Sequence, residues 1–128
     1  MFKLLLIAGL MALATSAHAA GSIQAGEKKA TEKACLSCHG KDYKSPINPS
    51  YPILAGQQED YLLNALKQYK RGAAADKSHA LSRNNAIMGG QTAGLSNQDM
   101  QDIAAYLASL PGPLQVHNRS RVIEKNLY

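Results

Sequence analysis

Two thiols and an imidazole fall within five consecutive positions, Cys35-Leu36-Ser37-Cys38-His39, and the chain has no other cysteine. Cys-x-x-Cys-His is the attachment motif of c-type haem. The chemistry needs this order. Each thiol adds to one vinyl group of the porphyrin, giving two thioethers. The two-residue spacer lets both sulfurs reach neighbouring vinyls from one helical turn, and the next residue sets an imidazole under the iron. The same residues admit a disulfide or half of a zinc site. A zinc site would lack its second pair of ligands. A thioredoxin-like redox pair would want a βαβ pattern around it, and nothing here reads as a strand.

An iron held in this way has a second face. The candidates to cover it are Met88, Met100, His79 and His117. Met88 falls in a segment that reads as loop, shortly before the last helix, from which a thioether can drop onto the iron. Met100 stands at helical spacing with Ile103, Ala104 and Leu107, the pattern of a core methionine. His79 lies nearer the start of the loop, where histidine is ordinarily solvated, and His117 lies near the end of the chain. A sixth position left open is the remaining alternative. No general base, nucleophile triad or phosphate loop appears, so the chain reads as a non-enzyme.

The elements that must position these groups are helical. Ile23 to Cys35 mixes Ala, Glu and Lys, good helix formers, and predicts a first helix running into the cysteines. Pro46, Pro49 and Pro52 make residues 40–56 a loop. From Gln57 to Lys70, Tyr61, Leu62, Ala65, Leu66 and Tyr69 give one apolar face, and Gly72 is the expected stop. Residues 73–94 read as loop. Ser96 and Asp99 form a cap pair for a last helix, with Ile103, Ala104, Tyr106 and Leu107 on its apolar face and Pro111 as its stop. The expected class is all-α, three main helices with long loops, and a bound cofactor is a reason for such loops.

Composition agrees. The chain has 128 residues, no Trp and one Phe, at position 2. A small domain with so few large apolar groups makes a thin core, and a cofactor is one way to staple it. Met1-Phe2-Lys3, an apolar run from Leu4 to Ala14, and Ala17-His18-Ala19 read as a signal peptide cut after Ala19. The run is shorter than the roughly 20 residues a membrane span needs, and no later segment is apolar enough. The expected organisation is signal peptide 1–19, a domain over 20–112, and a polar basic tail over 113–128. The formal net charge is +5, a modest bias that fits an acidic protein partner or an anionic surface. The charges form no long run and no nucleic-acid motif accompanies them.

The stretch from Ala25 to Leu110 resembles the class I cytochromes c, in particular the haem modules of the c-four subgroup of bacterial periplasms. The marks are Cys35-Leu36-Ser37-Cys38-His39-Gly40, Tyr51-Pro52-Ile53-Leu54-Ala55-Gly56-Gln57, Tyr61-Leu62, Leu66, Tyr69, Gly72, Met88, Gly94-Leu95-Ser96 and Asp102-Ile103-Ala104-Ala105-Tyr106. The resemblance implies the class I cytochrome c fold around one covalent haem c. It implies attachment at Cys35 and Cys38, with His39 and Met88 as axial ligands. It also implies a Pro52 carbonyl that takes the hydrogen bond of the histidine's other ring nitrogen, and Leu54 packed on the porphyrin. A small residue at Gly26 would let Tyr106 of the last helix approach the first. The implied role is periplasmic electron transfer to redox protein partners. A haem subunit of a larger redox complex is the alternative, or an open-site peroxidase or gas-binding protein if Met88 does not ligate. Proteins of this subgroup usually carry two modules; this sequence holds one Cys-x-x-Cys-His.

Overall fold

The computed structural model describes residues 20–74 and 81–114, and these form five helices. The segment read as signal peptide, His79, His117 and all but the first two residues of the basic tail lie outside the described residues.

Helix α1 spans Ile23–Glu32 and is capped by the Ser22 hydroxyl, which accepts from the Ala25 N–H. Its buried residues are Gly26 and Ala30, one turn apart and both small. The small face exists because α5, Asn97–Ser109, crosses it closely. A Cβ at Gly26 would stand 1.9 Å from the Asp102 carbonyl oxygen and 2.7 Å from the Tyr106 Cβ. Asp102 itself is buried, and its carboxylate accepts from the Ser22 N–H and the Gln98 side-chain amide, both at 2.8 Å. The expected Gly26–Tyr106 approach is therefore present, with the α5 backbone closer still. At the start of α5, Ser96 and Asp99 form a complete capping box, and hydrogen bonds from Ser96 hold the Asp99 carboxyl below its ordinary range.

The first helix does not run into the cysteines. It ends at Glu32, and the chain turns through Ala34 at φ 50° before a single turn of helix, α2, over Leu36–His39. Gly40 follows at φ 85°, where a Cβ would meet the Ser45 carbonyl oxygen at 2.1 Å. The loop that begins there is tied to itself. The Asp42 carboxylate accepts from the Lys44 and Ser45 N–H groups, which lowers its pKa. The Tyr43 carbonyl accepts from Leu54 and Ala55.

Helix α3 spans Glu59–Ala73, with Glu59 and Asp60 in its first turn and Lys70 and Arg71 in its last, as the helix dipole favours. It passes through Gly72 instead of stopping there. Gly72 is glycine because another segment crosses it: a Cβ would meet the Arg83 carbonyl oxygen at 2.1 Å. The stretch read as loop over 73–94 also contains a helix, α4, Ala86–Ala93, capped by Asn85. Its Gly89 lies against Ala73 at the end of α3, where a Cβ would stand 3.0 Å from the Ala73 Cβ. Both α4 and α5 pack on α3. The core lies among Leu62, Leu95, Met100, Ile103, Ala104 and Leu107, with Tyr43 and Ala55 added from the loop.

Candidate haem site

A cavity of about 230 Å³ opens between α2, the proline loop, α3 and α4. Its walls are mainly apolar: Leu54, Leu62, Leu66, Leu95, Ile103 and Leu107 all line it. Cys35, Cys38, His39, Pro52, Leu54 and Met88, six residues spread over more than fifty positions of chain, all face this one space.

The cysteines are placed by the short α2 turn. Both are half-buried free thiols, and burial pushes the Cys35 thiol pKa up. Both thiols line the apolar cavity. His39 closes the same turn and is 6% exposed. Its Nδ1 lies 2.9 Å from the Pro52 carbonyl oxygen. A carbonyl only accepts, so Nδ1 carries a proton, and in the neutral ring Nε2 is the nitrogen with the free lone pair. The Tyr51 ring stands tilted against the imidazole at 6.3 Å between centroids.

Met88 enters from α4. Its backbone N–H is held by the Asn85 side-chain oxygen at 2.9 Å, and its carbonyl accepts from the buried Thr92 hydroxyl at 2.9 Å. It therefore sits on the first turn of a capped helix, not in a free loop. Met100 is 1% exposed and belongs to the core cluster, as its spacing implied. Leu54 is partly buried against that core and lines the cavity.

These residues fit a haem. The space is apolar, as a porphyrin requires, and two thiols stand on its wall. One imidazole has its tautomer already fixed, and a thioether reaches the space from a separate helix. They fit zinc poorly: among the described residues no group of three or more His, Cys, Asp or Glu side chains converges on one point. Sequence reasoning missed Arg83 and Thr92 and gave Tyr61 and Tyr69 no role at the site, and all four line the cavity. Arg83 lies over both tyrosine rings, at 5.4 and 5.5 Å from their centroids. Asn85 directly before Ala86 was the available signal for the α4 cap.

Comparison with known proteins agrees with this geometry. The family model described as cytochrome c matches residues 23–111. Cytochrome c4 from Stutzerimonas stutzeri is 42% identical over 110 residues, covering 86% of this chain and 50% of the relative. Cytochrome c-554(548) from Halomonas halodenitrificans is 39% identical over 90 residues, covering 70% of this chain and 98% of the relative. The crystal structure of reduced recombinant cytochrome c4 from Pseudomonas stutzeri superposes with a TM-score of 0.64 at 37% identity, over 79% of this chain and 52% of that one. The chain spans about half the length of the cytochromes c4 it matches. Family model, relatives, all-helical architecture and the Cys35–His39 motif agree, and the chain belongs to the cytochrome c family, with covalently bound haem c as its cofactor.

Proposed function

We propose that the protein is a periplasmic one-electron carrier whose haem is attached at Cys35 and Cys38 and ligated by His39 and Met88. The observation that carries this reading is the His39–Pro52 hydrogen bond at 2.9 Å, together with Met88 on the wall of the same cavity. When bound, the haem iron supplies a ferrous–ferric couple, with the potential raised by a thioether ligand relative to a second histidine. The protein residues restrict motion around it. Pro52 fixes the imidazole's tautomer and plane. Asn85 and Thr92 fix the backbone of Met88. Leu54, Leu62 and Leu66 exclude water and keep the local dielectric low. A site held this way changes oxidation state with little rearrangement and leaves no ready place for a substrate.

The reading includes a signal peptide over 1–19, a haem domain over 20–112 and an accessory tail over 113–128. Among the described residues no helix is long and apolar enough to cross a membrane. The partner is a redox protein with an acidic docking face. Of the lysines flanking the motif, Lys29 is engaged with Glu32 at 3.1 Å and Asp99 at 3.4 Å, which raises its pKa. Lys28, Lys41 and Lys44 are left for steering, with Lys33 at the cavity wall.

Optical spectra of the ferric and ferrous protein, with and without carbon monoxide, test the assignment. A ferric sulfur-to-iron band and slow carbon monoxide uptake are expected. Rapid uptake by the wild-type protein would transfer the reading to an open-site haem protein. Electron transfer to an acidic partner should slow as salt rises, since steering is screened beyond about 8 Å at physiological ionic strength.

A further inference from the structure

We propose that Arg83 is the positioning residue that holds Met88 at the iron, by clamping the strap of residues 81–85 onto α3. The inference rests on Met88 as the axial ligand. Tyr61, Gln68, Tyr69 and Gly72 share one side of α3, and every one of them meets Arg83. The Arg83 backbone N–H donates to the Gln68 carbonyl at 3.1 Å. Its Nε donates to Gln68 Oε1 at 2.8 Å, and its Nη2 stands 3.4 Å from the Tyr61 hydroxyl. The guanidinium carbon lies over both the Tyr61 and Tyr69 rings. Its carbonyl passes so close to Gly72 that no side chain fits there.

A single residue is thus fixed by backbone, side chain and two aromatic faces. Two positions later Asn85 caps α4, and the Asn85 side chain binds the N–H of Met88. Only Asn84 separates the clamp from the cap that holds the Met88 backbone. Among the described residues, the only other side-chain hydrogen bond from this strap to α3 is that of Arg71 Nη2 to the Leu81 carbonyl, at 2.9 Å. Lysine cannot replace the arginine. The contact uses a planar group that stacks on rings while donating from its edge in fixed directions; an ammonium keeps the charge and donors but has neither the plane nor the fixed fork.

The test uses full-length, haem-loaded protein carrying Arg83→Gln or Arg83→Lys. The readouts are the ferric sulfur-to-iron band and the rate of carbon monoxide uptake by the ferrous protein, which requires the thioether to leave. Both variants should take up carbon monoxide about tenfold faster than wild type, with a weaker band. That is the factor expected from losing one hydrogen bond to a charged group. Wild-type rate and band in Arg83→Gln, with only a lower melting temperature, would overturn the proposal. Gln68→Ala removes the Nε acceptor while sparing the guanidinium, and it decides the matter if Arg83→Gln does not load haem. Faster uptake supports the clamp and an unchanged rate overturns it. Met88→Ala separates the two levels of the argument: a band that survives this change shows that the ligand assignment is at fault, whatever Arg83 does.

Discussion

His39 Nδ1 and the Pro52 carbonyl oxygen stand 2.9 Å apart across thirteen positions of chain. The acceptor is a backbone atom, so the proline side chain contributes only the shape of the turn. Pro52→Ala should leave the haem spectrum intact and lower stability by about 1 kcal/mol or less, chiefly by freeing the unfolded chain. Thermal melts followed in the Soret band check this. A displaced spectrum would show that the ring itself orients the imidazole.

The two thiols should carry the haem covalently. Wild-type mass should exceed the peptide by one haem, and acid-acetone should fail to extract it. Cys35→Ala or Cys38→Ala should leave one thioether or none and a poorly folded product, because the thin apolar core loses its anchored centre.

Met88 and Met100 separate cleanly. Met88→Ala should abolish the sulfur-to-iron band, open the iron to carbon monoxide and lower the potential. Met100→Ala, at a residue 1% exposed, should cost about 2–5 kcal/mol of stability through the cavity it leaves, with the band retained. Denaturation curves and optical spectra of the two variants provide the comparison.

Glycines at two sites should respond in opposite ways. Gly26→Ala places a Cβ 1.9 Å from the Asp102 carbonyl oxygen, so α1 and α5 must separate and the domain should melt far below wild type. Gly90→Ala meets nothing within 4 Å on an exposed helix face. It should stabilise by up to about 1 kcal/mol through helix propensity.

Alkaline pH should expose Tyr43. The residue is 3% exposed, and burial pushes its hydroxyl up to about 12, from an ordinary value of about 10. The folded state holds that proton more tightly than the unfolded chain. Its contribution is therefore complete below about pH 10 and disappears as pH climbs toward 12. Tyr43→Phe should flatten the fall in stability across that window, measured by denaturant titration at stepped pH.

The cysteine motif, Met100 and the α5 capping box were legible in sequence because each rests on residue type at short range; Pro52 came from the family resemblance alone, since its contact with His39 spans thirteen positions and uses a backbone atom. Helix α4 was not legible. Ala86–Ala93 contains two adjacent glycines and little local preference for helix. It forms because Asn85 caps it and Ala73 receives Gly89. Gly72 was misread for a related reason. Glycine at a helix end and glycine at a close crossing look alike in sequence, and only the approach of Arg83 tells them apart. Arg83 itself gave no local sign, since its partners lie eleven or more positions earlier on another helix.

The fastening of Ser22 to Asp102 joins residues 80 apart. A loop that long loses much chain entropy when it closes, and contacts of such separation slow folding. In the folded domain α5 packs on α1, and its Ile103 and Leu107 complete the cavity wall that also holds Cys35 and Cys38. The Cys35–His39 turn is closed by backbone bonds to residues 30–35 and uses neither Ser22 nor Asp102, so thioether attachment is expected to proceed without the clasp. A variant with a weakened Ser22–Asp102 clasp should accept haem readily and retain it covalently, yet fluctuate open more often.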